Sequence, residues 1–242
     1  MRGAAQPLNP LTPPPAHMFT VKICGITCVE DALAVAEAGA DAIGLNFYPP
    51  SLRHISTAMA REIIAALPPG IVKVGLFVNA DAEAMCQAFD DLGLDLLQLH
   101  GDEPPSMLEK LGGRPLMKAF RVEPNELGPV VRYIEKCDQI GQRLRLVLLD
   151  AKVDLLYGGT GIAADWPTAR QYARTVNYPP LVLAGGLTPQ NVAGAIRATG
   201  ASAVDTASGV ESQPGHKDPR AVARFVQAAR EAFALNSGQE PN

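Results

Sequence analysis

Eight short apolar runs alternate with eight amphipathic stretches between Val21 and Leu235, and no other feature narrows the fold as much. The apolar runs are VKICGI (21–26), AIGLNFY (42–48), VKVGLFVN (72–79), LLQLHG (96–101), PLMKAFRV (115–122), LRLVLLDA (144–151), PLVLAGGL (180–187) and SAVDTASGV (202–210). Between and after them lie stretches with helical spacing, from VEDALAVAEAG behind Thr27, a candidate N-cap, to the closing DPRAVARFVQAAREAFAL. Several of these begin at Thr, Asp, Ser or Asn and stop at Gly, the residues that satisfy free amides and carbonyls at helix ends. A strand followed by a helix and another strand implies parallel pairing through right-handed crossovers.

Eight such units over about 215 residues match the size of a (β/α)8 barrel, so the chain is read as α/β, a single TIM barrel with eight parallel strands. An open doubly wound sheet is the structural alternative. It usually carries a GxGxxG turn after its first strand, and CGIT is not one. Apolar residues at 47% and charged residues at 19% allow one large core in 242 residues. The Pro-rich residues 1–17 are read as a disordered extension, with Met18 a candidate natural start; 18–235 form the barrel and 236–242 a disordered tail. A net charge of -4 without a basic block argues against a nucleic-acid partner. No apolar run reaches bilayer length. The cysteines Cys24, Cys28, Cys86 and Cys137 have neither disulfide-like nor zinc-ribbon spacing, which fits a reducing cytoplasm.

In a barrel, function gathers where the strands end. The stretch VKICGIT sends Val21 and Ile23 to one face and Lys22 and Cys24 to the other. Polar residues at or just past the strand ends are Cys24, Asn46, Asn79, His100, Arg121, Asp150 and Asp205, all on one rim. Cys24 is either a small core residue or a thiolate base or nucleophile. Asp150 either holds a proton as a general acid or caps its loop through backbone amides. Gly185 and Gly186 after strand seven, with Ala207, Ser208 and Gly209 after strand eight, form a candidate phosphate site, the alternative being two tight turns. GGTG at 158–161 lies in a long loop that is either a lid or a permissive surface segment. Arg53 is the best-placed basic residue for a substrate carboxylate, unless it is a solvated loop arginine. His100 either touches ligand or supports it from behind. The four histidines share no metal-ligand spacing, so no metal is expected.

Taken in order, KICGIT, GLNFYPPSLRHIS, VGLFVN, QLHGDE, LLDAK, GGTGIAADW, LAGGLTPQNV and VDTASGVESQPGHKD resemble the phosphoribosylanthranilate isomerase family from about Val21 to the last helix. The resemblance implies an Amadori rearrangement of a phosphoribosyl-anthranilate, a small-molecule phosphosugar substrate, without cofactor or metal, in tryptophan biosynthesis. It further implies Cys24 as general base, Asp150 as general acid and Arg53 on the anthranilate carboxylate. His100, Asp205 and the glycine loops would complete the substrate site, in a monomer or a homodimer. The chain departs from the family pattern at Ser51-Leu52-Arg53 (commonly S-P-R), Ala164-Asp165-Trp166 (commonly F-D-W) and Asp205-Thr206-Ala207-Ser208-Gly209 (commonly D-V-S-S-G). Rival readings are another phosphosugar barrel isomerase and a phosphometabolite-binding barrel without turnover.

Overall fold

A computed structural model of the chain describes residues 18–150 and 166–237. The expected extension at 1–17, residues 152–165 of the candidate lid loop KVDLLYGGTGIAADW, and with them the departure at Ala164-Asp165, lie outside the described residues. Eight parallel strands close on themselves in sequence order: β1 (Val21–Cys24), β2 (Ala42–Asn46), β3 (Val72–Phe77), β4 (Leu96–Leu99), β5 (Leu116–Arg121), β6 (Leu146–Asp150), β7 (Leu181–Ala184) and β8 (Ala203–Thr206). Among the described residues seven α-helices cover the barrel: α1 (Val29–Glu37), α2 (Thr57–Ala66), α3 (Ala82–Leu92), α4 (Gly128–Gln139), α5 (Trp166–Ala173), α6 (Val192–Thr199) and α7 (Pro219–Ser237). The last of these continues two residues past the expected boundary at Leu235.

Two local expectations change. The stretch after β4 forms a 3-10 helix, Pro105–Leu111, rather than an α-helix. Prolines at 104 and 105 open it and Gly112 closes it in the left-handed conformation, leaving seven residues. Its two fully buried leucines, Leu108 and Leu111, stand three apart, the spacing a three-residue turn aligns on one side. Thr27 is not the N-cap of α1; Cys28 occupies that position without a side-chain cap bond. The Thr27 hydroxyl instead donates to Gly215 O at 2.5 Å, far along the chain.

Each barrel strand is buried on both sides over most of its length, and its alternation sorts residues into two cores. Val21, Ile23, Ile43, Leu45, Val147, Leu149 and Leu183 pack outward in one cluster with the helices. Ala42, Val74, Leu96, Met117, Ala119, Leu146, Leu148, Val182, Ala184 and Ala203 form a second cluster that contains no helix residue and so fills the barrel interior, with Phe19 at its N-terminal end. Extending this alternation places Cys24, Asn46, His100, Arg121 and Asp150 on the inward face at the strands' C-terminal rim. β1 and β8 close the barrel with Lys22 directly opposite Asp205.

Past β8 the chain makes a short 3-10 turn, Ser208–Val210, then an antiparallel hairpin of β9 (Glu211–Gln213) and β10 (His216–Lys217). The turn packs against the loop that follows β7. Thr206 Oγ1 donates to Leu187 O at 2.7 Å, and a Cβ added to Gly209 would sit 1.8 Å from that same oxygen. Because the obstacle is backbone, Gly209→Ala is expected to lower stability by about 1–3 kcal/mol, read as a smaller urea midpoint at unchanged slope.

Candidate active site

The rim residues do different jobs. Asn46 and Asn79 organise loops: Asn46 Nδ2 donates to Ser51 Oγ at 2.9 Å, and its Oδ1 accepts from Tyr48 N at 2.9 Å. Ser51 Oγ also accepts Arg53 N at 3.1 Å, so the loop after β2 is braced just where it presents Arg53. Asn79, at a φ of 50°, accepts Asp102 N at 2.7 Å and gives its own amide to Glu103. Glu103 is buried against Lys118, 3.1 Å away, whose ammonium also reaches Gly101 O at 2.6 Å. Sequence reasoning passed over Glu103 and Lys118; the lysine inside the apolar run PLMKAFRV was an available signal, whereas Glu103 lies in the polar turn HGDEPP and carried none.

Cys24 sits at the end of β1 and is 8% exposed. Lys22 lies below it, fully buried, with its ammonium 2.9 Å from Asp205 Oδ1. Asp205, expected among the substrate-binding residues, is 6% exposed at the end of the barrel seam, with Lys22 as its partner. Burial works against the Lys22 charge, but the neighbouring carboxylate outweighs it and keeps the ammonium protonated. Burial pushes the Cys24 thiol up; Lys22 opposes that without cancelling it. Space for both groups comes from β2, where a Cβ on Gly44 would lie 2.6 Å from Cys24 Sγ and 3.1 Å from Lys22 Nζ.

Asp150 ends β6, partly exposed, beside Arg121 of β5 in register and Ala184 of β7. In the closed strand order only β7 and β8 separate Asp150 from Cys24. The loops after those two strands hold Gly185, Gly186, Ala207, Ser208 and Gly209, so the candidate phosphate site occupies the arc between the candidate acid and base. Gly185 and Gly186 take φ values of 94° and 62°, a region glycine enters without steric cost. The Asn191 side chain braces this loop, accepting Thr188 N at 2.8 Å and donating to Gly186 O at 3.0 Å.

The opposite arc opens into a cleft of about 1030 Å³, bordered by Tyr48, Arg53, Asn79, His100, Arg121 and Tyr133 among others. The Arg53 fork is held by Glu211: Nε donates to Oε1 at 2.7 Å and Nη2 to Oε2 at 2.5 Å. Lys217 Nζ joins the same carboxylate at 2.8 Å. Burial raises the Glu211 carboxyl, but its bonds from Arg53 and Lys217 prevail and hold it down at about 2. Glu211 and Lys217 were not singled out from sequence; the SGVE…KD spacing was visible, but their partners were not. Among the described residues no group of three or more His, Cys, Asp or Glu is placed to hold a metal ion, and no helix is long and apolar enough to cross a membrane.

His100 Nδ1 lies 2.9 Å from Gln98 Nε2 on the inward face of β4. Burial lowers its pKa to about 4, against an opposing pull from Asp150. The imidazole is neutral at pH 7, and with Nδ1 accepting from Gln98 Nε2 it has its Nε2–H to offer a substrate. An unfolded histidine protonates near pH 6.5 while this one does not, so folding stability drains away as pH falls from about 6.5 toward 4. Urea unfolding at pH 7 and pH 4.5 should show that loss in the wild type and a smaller one in His100→Asn, with the wild-type imidazole resonances titrating near pH 4.

A family model described as N-(5'-phosphoribosyl)anthranilate (PRA) isomerase matches residues 21–228. An N-(5'-phosphoribosyl)anthranilate isomerase of Trichlorobacter lovleyi is 49% identical over 217 residues, covering 89% of this chain and 100% of that protein. The crystal structure of phosphoribosyl anthranilate isomerase from Thermotoga maritima superposes with a TM-score of 0.78 at 40% identity, covering 88% of this chain and 99% of that one. A second crystal structure, of phosphoribosyl anthranilate isomerase in complex with reduced 1-(o-carboxyphenylamino)-1-deoxyribulose 5-phosphate, gives a TM-score of 0.75 at 37% identity, over 88% and 99% of the two chains. With all eight barrel strands, the rim and the loops after β7 and β8 falling within the matched region, this chain belongs to the N-(5'-phosphoribosyl)anthranilate isomerase family.

Proposed function

We propose that the chain isomerises N-(5-phospho-β-D-ribosyl)anthranilate to 1-(2-carboxyphenylamino)-1-deoxy-D-ribulose 5-phosphate with Asp150 as general acid and Cys24 as general base, as a step toward tryptophan. Asp150 gives its proton to the furanose ring oxygen, the C1′–O bond breaks, and the anthranilate nitrogen supplies the electron pair that makes a protonated Schiff base. The Cys24 thiolate then takes the proton from C2′. The electrons of that C–H bond neutralise the nitrogen, leaving an enolamine that tautomerises to the ketone. Atoms and electrons balance within one molecule, and no cofactor is called for. The four free cysteines, Cys24 included, suit a reducing cytoplasm.

The observation that carries this reading is the order around the rim: acid candidate, two phosphate-type loops, base candidate. A sugar phosphate anchored by backbone amides of those loops would lie with its ring between Asp150 and Cys24. Its aryl group would then extend into the cleft that Arg53 borders, where a guanidinium suits the carboxylate. His100, neutral in that cleft, is placed to hydrogen-bond rather than to carry charge.

Fluorescence decay of freshly generated phosphoribosylanthranilate tests the assignment. Asp150→Asn and Cys24→Ser are each expected to lower kcat by about 10²–10⁴ while leaving binding of a product analogue largely intact. Equal turnover by wild type and Asp150→Asn would remove Asp150 from the mechanism. Arg53→Ala should mainly raise KM. Because the Cys24 thiol is held above its usual range and the base form is the thiolate, kcat/KM should rise with pH through the alkaline range, and Cys24→Ala should lose that limb.

A further inference from the structure

We propose that Glu211 is a positioning residue for this reaction: it holds the Arg53 guanidinium ready for the substrate carboxylate and, through Lys217, ties that end of the site to the phosphate loop. The inference rests on the reading of Arg53 given above. Both carboxylate oxygens of Glu211 are committed, Oε1 to Arg53 Nε and Lys217 Nζ and Oε2 to Arg53 Nη2, with only 4% of the side chain exposed. A flexible guanidinium held by two parallel bonds loses its rotamer freedom before substrate arrives, and that preorganises binding. One carboxylate shared between two cations leaves a surplus of positive charge, so Arg53 remains attractive to a second anion.

The holder is itself anchored. Lys217 is buried, and its ammonium reaches Ala207 O at 3.3 Å, the residue that opens the loop after β8. Its backbone amide donates to Asp31 Oδ2 of α1 at 2.8 Å, and Thr27 fastens Gly215 at the hairpin tip. The Arg53 stem crosses the turn after β1, where a Cβ on Gly25 would lie 2.4 Å from Arg53 Cδ. The hairpin thus fixes Arg53 beside Cys24 and the phosphate loop together. Glu211, held at about 2, stays ionised throughout the pH range in which such an enzyme works.

The test compares wild type, Arg53→Ala, Glu211→Gln and the double variant. Each is titrated with reduced 1-(o-carboxyphenylamino)-1-deoxyribulose 5-phosphate and with the same compound lacking the carboxyl group. Glu211→Gln is expected to weaken the carboxylated ligand about tenfold relative to the other, and this loss should vanish once Arg53 is alanine. Its KM should rise by more than its kcat falls. Equal weakening of both ligands, or a loss that persists without Arg53, would mean a merely structural role and overturn the proposal. Selectivity lost in Arg53→Ala but kept in Glu211→Gln overturns the Glu211 role alone. Selectivity kept in Arg53→Ala removes the carboxylate reading of Arg53 and the Glu211 role with it. Should Glu211→Gln fold poorly, Glu211→Asp, which keeps the charge and shortens the arm, is read by the same comparison.

Discussion

The barrel closes on a buried charge pair, and much of the site is arranged around it. Lys22 and Asp205 face each other in register across the seam between the first and last strands, 2.9 Å apart, where water does not reach. Such a pair adds little net stability, because desolvating both ions offsets most of their attraction. Its force lies in what it forbids. Slipping the seam would separate the partners and leave a charge in the apolar interior, at a cost of about 3–5 kcal/mol. The seam register in turn sets the height of Cys24 relative to the loop after β8. The thiol and the phosphate-type loop are neighbours because the ions beneath them are matched.

Above the seam, charge is distributed in the same economical way. The chain is acidic overall, yet the mouth between β1, β2 and β8 gathers Arg53 and Lys217 around Glu211, with the Lys22–Asp205 pair beneath them. An anionic substrate needs such a local surplus, and the protein assembles it from paired groups rather than from a basic patch. Pairing keeps each cation in one place, and burial keeps the field from being screened. On the other side of the mouth Lys118 and Glu103 neutralise each other beneath the loop after β4, while His100 is neutral. The cleft there is bordered by Arg53 and Arg121, cations that suit an aromatic ring carrying a carboxylate.

Much of this was legible in the sequence. Alternation of apolar runs with helical spacing specified eight β/α units because each run had to be buried on both faces. Strand ends then pointed to Cys24 and Asp150, and adjacent glycine turns pointed to the loops after β7 and β8. Placement was harder wherever a residue's partner is distant along the chain. That Asp205 has Lys22 as its partner is not visible until the first and last strands pair. Thr27 reads as a helix cap until Gly215 comes within reach of its hydroxyl. The 3-10 helix at Pro105–Leu111 departs from the α-helical expectation because prolines and a glycine left too few residues for more than a short turn.

The sequence by itself determined what depends on local pattern: strand and helix order, hence the parallel barrel, and the rim on which polar residues collect. Periodicity and turn chemistry are properties of neighbouring residues, and they survive without a partner. Only the tertiary structure decided which charges meet. Arg53 and Glu211 stand 158 residues apart, and Lys22 meets Asp205 only when the first strand finds the last. Electrostatic interactions depend on distance and burial, and no spacing along the chain encodes either until the barrel has closed.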